Sequence, residues 1–141
     1  MGFSKYNAAL LRIEVETIIR AQPAAVWRAW RPGFPVRPRE EESRNLNLYP
    51  LAYGLKIPVT LVSVNEMRNW TLEHALPRGK LVIDHWMSSA EGGVRVGKRY
   101  EVHGPLSIGY RLLAPKIRAM ARAEFAELEL AASRAPGSLG G

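Results

Sequence analysis

The chain has 141 residues, 47% of them hydrophobic, enough for one domain with its own core and too many for a disordered segment. It contains no cysteine, which excludes disulfides, thiolate nucleophiles and cysteine-ligated metals. The net charge of +7, from 20 Lys and Arg against 13 Asp and Glu, points toward nucleic acid or another acidic surface, but the densest cluster, Arg37 to Arg44, is interrupted by Glu40, Glu41 and Glu42, so the charge reads as a solvated, arginine-rich exterior.

The opening residues lack a secretory h-region and cleavage site, and no apolar run approaches the ~20 residues needed to span a bilayer. The expectation is a cytoplasmic protein without a membrane span. Leu11, Ile13, Val15, Thr17 and Ile19 alternate with Arg12, Glu14, Glu16 and Arg20, with Ile18 out of phase, which predicts a half-buried strand. Gln22-Pro23 ends it. Proline fits the first helical turn, where its missing N–H is unpaired anyway, and Ala24 to Trp30 continue as a short apolar helix. Residues 31–43 hold three prolines and a glycine and read as a loop, with a short edge strand near Val36 to Arg39. Leu46 to Ile57 reads as an irregular strand bent at Pro50 and Gly54.

The middle of the chain is regular. Pro58–Glu66, Trp70–Leu76, Lys80–Ser88 and Val94–His103 are β-branched or alternating runs, separated by turns at 67–69, 77–79 and 89–93, and they predict an antiparallel meander. Lys98 interrupts the apolar face of the last run. After Gly104-Pro105, residues 106–114 form an apolar helical segment, and Pro115 starts or kinks a second one. From Lys116 to Ser133, Ile117, Met120, Ala121, Phe125, Leu128, Ala131 and Ala132 recur near a 3.6-residue period, with Glu124 close to that stripe. The order predicts an α+β fold in one domain, residues 1–141, with a core over about 10–133 and flexible ends at 1–9 and 135–141. The sheet must be covered, and the long terminal helix is its cover. One helix leaves space over a strongly curved sheet, so a cavity between them is the default ligand site.

Several stretches resemble one known group. IEVETIIRAQPAAVW is similar to the strand, alanine–proline turn and Val-Trp helix that open the SRPBCC superfamily, the START/Bet v1-like helix-grip fold. VSVNEMRNWTLEHAL is similar to its paired strands, with Asn69 where glycine is usual. IDHWMSSAEGGVRV resembles its histidine-bearing strand and glycine hairpin, and EVHGPLSIGYRLLAPKIRAMARAEFAEL its Gly-Pro-Leu entry into the long helix. The likeness covers about residues 10–133 and departs at Arg31–Ile57, which is short and proline-rich. It implies a helix-grip fold with a curved antiparallel sheet of about six or seven strands. The polyketide cyclase/dehydrase-like subgroup is the nearest in pattern. The implied partner is an apolar, polyketide- or lipid-like small molecule, handled by a cyclase- or dehydratase-like enzyme of the lyase or isomerase type, or else by a non-catalytic carrier or sensor. No cofactor is implied. The state expected is monomer or homodimer.

The superfamily lacks a shared catalytic motif, so candidate residues come from phase. Tyr100, on the inward face, can donate to a carbonyl or enolate oxygen. His74 can act as acid or base near neutral pH, although a histidine bonded at a cavity rim is the blander and favoured reading. Glu124 is the carboxylate nearest the cavity side of the long helix, and the plainer alternative pairs it with an arginine. Trp70, Leu72, His85, Met87, Val96 and Met120 are expected to line the cavity, with Tyr49 and Tyr53 at its rim. Lys98 is expected to snorkel out. The tryptophans are expected in the core or a lid. The three histidines lie on separate segments without metal-ligand spacing, so no metal is expected. Nucleic acid is disfavoured because no basic stripe interleaved with aromatics is present.

Overall fold

The change of period at Pro23 becomes a change of element. In a computed structural model, which describes residues 10–32, 39–42 and 55–134, β1 (Leu10–Ile19) stops at Ile19 and α1 (Pro23–Trp30) begins at the proline. β2 (Arg39–Glu42), β3 (Lys56–Asn65), β4 (Asn69–Leu76), β5 (Gly79–Ala90) and β6 (Gly93–His103) follow, then α2 (Ser107–Leu112) and α3 (Ala114–Arg134). A short strand lies at Arg39–Glu42 and meets the one expected near Val36 to Arg39 at Arg39, while Val36 to Pro38 lie outside the described residues. Residues 33–38 and 43–54, including Tyr49 and Tyr53, lie outside the described residues, as do both ends, 1–9 and 135–141.

The strands form one antiparallel sheet in the order β1-β6-β5-β4-β3-β2. Among the described residues, five long strands and a four-residue edge strand stand where about six or seven strands were expected. Alternation sets the inner face. Ile13, Val15 and Ile19 of β1, Leu81, Ile83 and Met87 of β5, and Val94, Val96, Tyr100 and Val102 of β6 are all buried. Thr17, in phase with them, is exposed, and so is Ile18 at 42%. The β3–β4 register slips between Leu61 and Ser63, so one extra residue sits in β3 and the inward phase passes from Leu61 to Val64.

The outer face is built from charge pairs across strands. Thr71 Oγ1 donates to Asp84 (2.7 Å), and Arg99 donates to the other oxygen of the same carboxylate (3.0 Å). Arg12 reaches Glu101 and Arg95 reaches Glu16, each at 3.2 Å. The arginines that looked scattered in sequence thus face carboxylates on neighbouring strands. Such exposed pairs fix register more than they stabilise.

α3 packs against α1 and β1, on one side of the concave face. Ile117, Ala121, Phe125, Leu128 and Ala132 are its buried stripe. A second tie holds it, because the Arg20 backbone N–H donates to Glu129 Oε2 at 2.9 Å. Among the described residues no helix is long and apolar enough to cross a membrane.

One glycine is set by a neighbour's ring. Gly97 pairs with Trp86 across β5 and β6, and a Cβ at Gly97 would lie 2.2 Å from the indole ring. The ring lies flat over this backbone on the outer face. Gly97→Ala is expected to cost about 1–3 kcal/mol of stability by displacing that ring. Urea melts read the loss, and a red shift in tryptophan emission reads the displacement. An unchanged melt would show that the ring moves aside freely.

Candidate functional site

Three neighbouring strands carry one row of unusual residues. Trp70 of β4 pairs with His85 of β5, and His85 pairs with Lys98 of β6. All three point to the concave face and are buried. The His85 ring stacks on Trp70 with centroids 3.5 Å apart and planes 3° from parallel. Trp30, the last residue of α1, meets both rings edge-on, at 6.3 Å from Trp70 and 5.5 Å from His85, and meets Phe125 of α3 at 6.1 Å. Edge-on contacts of this kind add about 0.5–1.5 kcal/mol each beyond area burial.

Lys98 is 8% exposed and does not snorkel. An ammonium cannot stay desolvated alone. Its Nζ lies 2.6 Å from Glu124 Oε2, an ion pair between β6 and α3 that falls outside hydrogen-bond geometry. The same Nζ stands 5.0 Å from the centre of the Tyr100 ring. Burial alone would lower the pKa of this amine, but Tyr100 and Glu124 together outweigh it and the net direction is up. Lys98 is therefore an ammonium at neutral pH, a hydrogen-bond donor and not a nucleophile. Among the described residues Glu124 pairs with this lysine and with no arginine.

His85 is held the opposite way. Burial first, then the charge of Lys98, push its pKa well below 6.5. Its Nδ1 faces the Trp70 carbonyl oxygen at 3.2 Å. A carbonyl only accepts, so the neutral ring carries its proton on Nδ1 and leaves a lone pair on Nε2.

Two open clefts run along α3 and share Glu124 and Glu127. One, of about 340 Å3, is walled by Trp30 and Trp70 against Leu128 and Ala131. The other, of about 510 Å3, is walled by Lys98 and Tyr100 against Met120 and Ala123. The indole N–H groups of Trp30 and Trp70 are buried without a hydrogen-bond acceptor, each a cost of about 1–3 kcal/mol until something accepts from it. Two other hollows, one beside Ile18 and Arg122 and one beside Arg78 and His103, contain no buried ionisable group. Among the described residues no cluster of three His, Asp or Glu could hold a metal ion.

Of the residues expected from sequence, the structure brings Tyr100, Glu124, Trp70, His85 and Met120 to this place. His74 is buried two register rows away, opposite Val59 and Leu81. Met87 and Val96 pair with each other in the row on the other side, inside the core. Leu72 is half-buried between Leu61 and Ile83. Phase reasoning undervalued Lys98. The signal was present, since a lysine in phase with Val94, Val96 and Tyr100 and a glutamate beside an apolar helix stripe are two anomalies of opposite charge.

A curved antiparallel sheet gripping one long C-terminal helix, opened by a strand and a short helix, is the Bet v1-like helix-grip fold of START and SRPBCC proteins, and this chain has it. Solved structures similar to it include Ara h 8.0201 (11% identity, TM-score 0.59, 87% of this chain and 97% of that one). Norcoclaurine synthase from Thalictrum flavum, solved with dopamine and hydroxybenzaldehyde, is another (11%, 0.58, 90% and 89%). A third is the di-domain ARO/CYC StfQ of the steffimycin biosynthetic pathway (13%, 0.51, 94% and 51%). No family model and no curated protein matches the sequence. At such identities the likeness establishes the fold.

Two outcomes test the electrostatics. The unfolded chain protonates the His85 ring at a pH where the folded chain does not. Stability therefore falls as the pH drops below 6.5, by up to about 1.4 kcal/mol per unit, and is fully present above it. Urea melts at pH 6.5 and 5.5 read this slope, and His85→Gln is expected to remove most of it; an equal slope in the variant would place its source elsewhere. For the ion pair, Glu124→Gln strands the Lys98 ammonium. Its expected cost is about 1–2 kcal/mol, below the range for a fully buried pair because Glu124 is partly solvated. Adding Lys98→Met should recover most of that loss. Additive costs in this double-mutant cycle would mean the pair does not couple.

Proposed function

We propose that the protein binds an apolar, ring-bearing small molecule, polyketide- or lipid-like, in the cleft between the sheet and α3. The observation that carries this reading is the chemistry of the cleft walls. Trp30, Trp70, Leu128 and Met120 offer apolar contact, while the polar groups there are mostly donors. They are two indole N–H groups without acceptors, the Lys98 ammonium and the Tyr100 hydroxyl. A ligand that fits such a wall is flat and apolar with oxygen acceptors at its edge, such as carbonyls, enolates or a carboxylate.

The same placement supports a cyclase- or dehydratase-like activity. Holding a flexible chain in one folded conformation supplies most of the rate, and Lys98 and Tyr100 stabilise negative charge as it develops on a carbonyl oxygen. Two of the neighbours are named for biosynthetic chemistry, StfQ and norcoclaurine synthase. A second reading, a carrier or sensor without turnover, is favoured by one observation. The carboxylate best placed as a base, Glu124, is already engaged by Lys98. Cross-strand pairing of Arg12, Arg95 and Arg99 to carboxylates weighs against a nucleic-acid surface on the sheet.

The test starts from the protein as purified. Small molecules released from it are identified by mass spectrometry, and anilinonaphthalene sulfonate, an aromatic anion, serves as a fluorescent probe. Lys98→Met is expected to weaken the probe at least 10-fold. Trp30→Phe and Trp70→Phe, which keep a ring and remove the N–H, should each weaken an oxygen-bearing ligand about 5- to 30-fold. Unchanged affinity in all three would place the ligand elsewhere. With a substrate in hand, Tyr100→Phe should lower turnover at least 10-fold, and no detectable turnover by the wild type selects the carrier. His74→Ala should leave turnover near wild type, since His74 lines neither cleft.

A further inference from the structure

The passage from sheet to long helix presents an uncovered apolar face. Ile108 and Leu112 of α2 are 72% and 79% exposed, and their i, i+4 spacing puts both on one side of the helix. The flanking sequence carries charge of one sign. Residues 104–121 contain Arg111, Lys116 and Arg118 and no Asp or Glu. Arg111 and Lys116 are exposed and Arg118 is half-buried. None of the three forms an ion pair among the described residues, whereas Arg12, Arg95 and Arg99 on the sheet all do.

We propose that α2 and the first turn of α3 dock on an anionic lipid bilayer, with Ile108 and Leu112 entering the headgroup–acyl boundary and Arg111, Lys116 and Arg118 meeting lipid phosphates. Charge complementarity selects this occupant. Three unpaired cations call for a dense, negatively charged partner, and bilayer surfaces of anionic lipid supply one. Two protruding aliphatic side chains are too small an apolar patch to hold a protein partner, which needs roughly 800 Å2 on each side with matched shape. A bilayer requires no matched shape, and two side chains at its boundary together with a basic rim are the features of an interfacial anchor. Met120 and Ala123, which wall the cleft, follow Lys116 on α3 by about one and two helical turns, so docking brings the cleft close to the lipid surface.

The test uses large unilamellar vesicles of phosphatidylcholine alone or with one quarter phosphatidylglycerol. The full chain should co-sediment with the anionic vesicles and at least 10-fold less with the neutral ones, and 0.5 M salt should release it. Ile108→Ser with Leu112→Ser should weaken binding at least 10-fold, as should Arg111→Gln with Lys116→Gln. Arg68→Gln, at the opposite end of the sheet, should bind like wild type. Because the chain has no cysteine, Ile108→Cys carries a single environment-sensitive fluorophore. Its emission should shift to the blue on anionic vesicles, and the same label at Ser88→Cys should not shift. Thermal melts confirm that each variant is folded. No binding to anionic vesicles overturns the proposal. So does binding that survives loss of the aliphatic pair, which is plain electrostatic adsorption, or equal binding to poly-glutamate, which points to an acidic protein.

Discussion

A cation on the concave face of an apolar sheet cannot stand alone, and much of this molecule's arrangement follows from how Lys98 is compensated. The sheet gives it no counter-charge, because the strand residues in phase with it are aliphatic or aromatic. Compensation comes from α3, through Glu124. This requirement fixes the helix lengthwise, since Glu124 must lie over β6, and it fixes the helix face, since the same rotation buries Ala121, Phe125 and Leu128. Burial, and after it the neighbouring ammonium, keep His85 neutral. A neutral, Nδ1-protonated ring can stack flat on Trp70, where a charged one would need water. One buried charge therefore orders a helix and helps keep an aromatic wall neutral, while the Trp70 carbonyl sets the tautomer.

The cleft is a consequence of geometry. α3 lies toward β1 and α1, and the sheet continues beyond it through β4 and β3. One cylinder about 10 Å across cannot fill that span. What remains is bordered by the helix side chains at 120, 123, 124, 127 and 131, which are neighbours along one face. The fold supplies the space, and proteins of the same fold put different chemistry in it. Here the wall is rich in donors, with the carboxylate of Glu124 already held by Lys98.

Much of this architecture is legible in the sequence because it rests on short-range periodicity. The strand–proline–helix opening, the four-strand meander and the amphipathic terminal helix are all written in phase, and they appear within a few residues of where phase puts them. The small errors have local causes. The β3 slip between Leu61 and Ser63 shifts the phase by one residue, and Met67 and Arg78 take left-handed conformations (φ 65 and 60) that glycine would have signalled. Half of the site was legible for the same reason. Tyr100, Trp70, His85 and Met120 lie on inward phases. The misjudged residue, Lys98, depends on a partner far away in the chain.

By itself, the sequence determined which residues alternate, where the period changes, and that a lysine and a glutamate fall on faces meant to be apolar. Those are one-dimensional facts, carried by repeats of 2 and 3.6 residues. Tertiary structure alone decided that the two misplaced charges meet, that Trp30 from α1 closes on Trp70 from β4, and that Ile108 and Leu112 are left uncovered. Each of these depends on register and on the crossing of elements separated by tens of residues. The free energy that settles them, the desolvation of a charge or the fit of a ring, exists only once the partners are brought together.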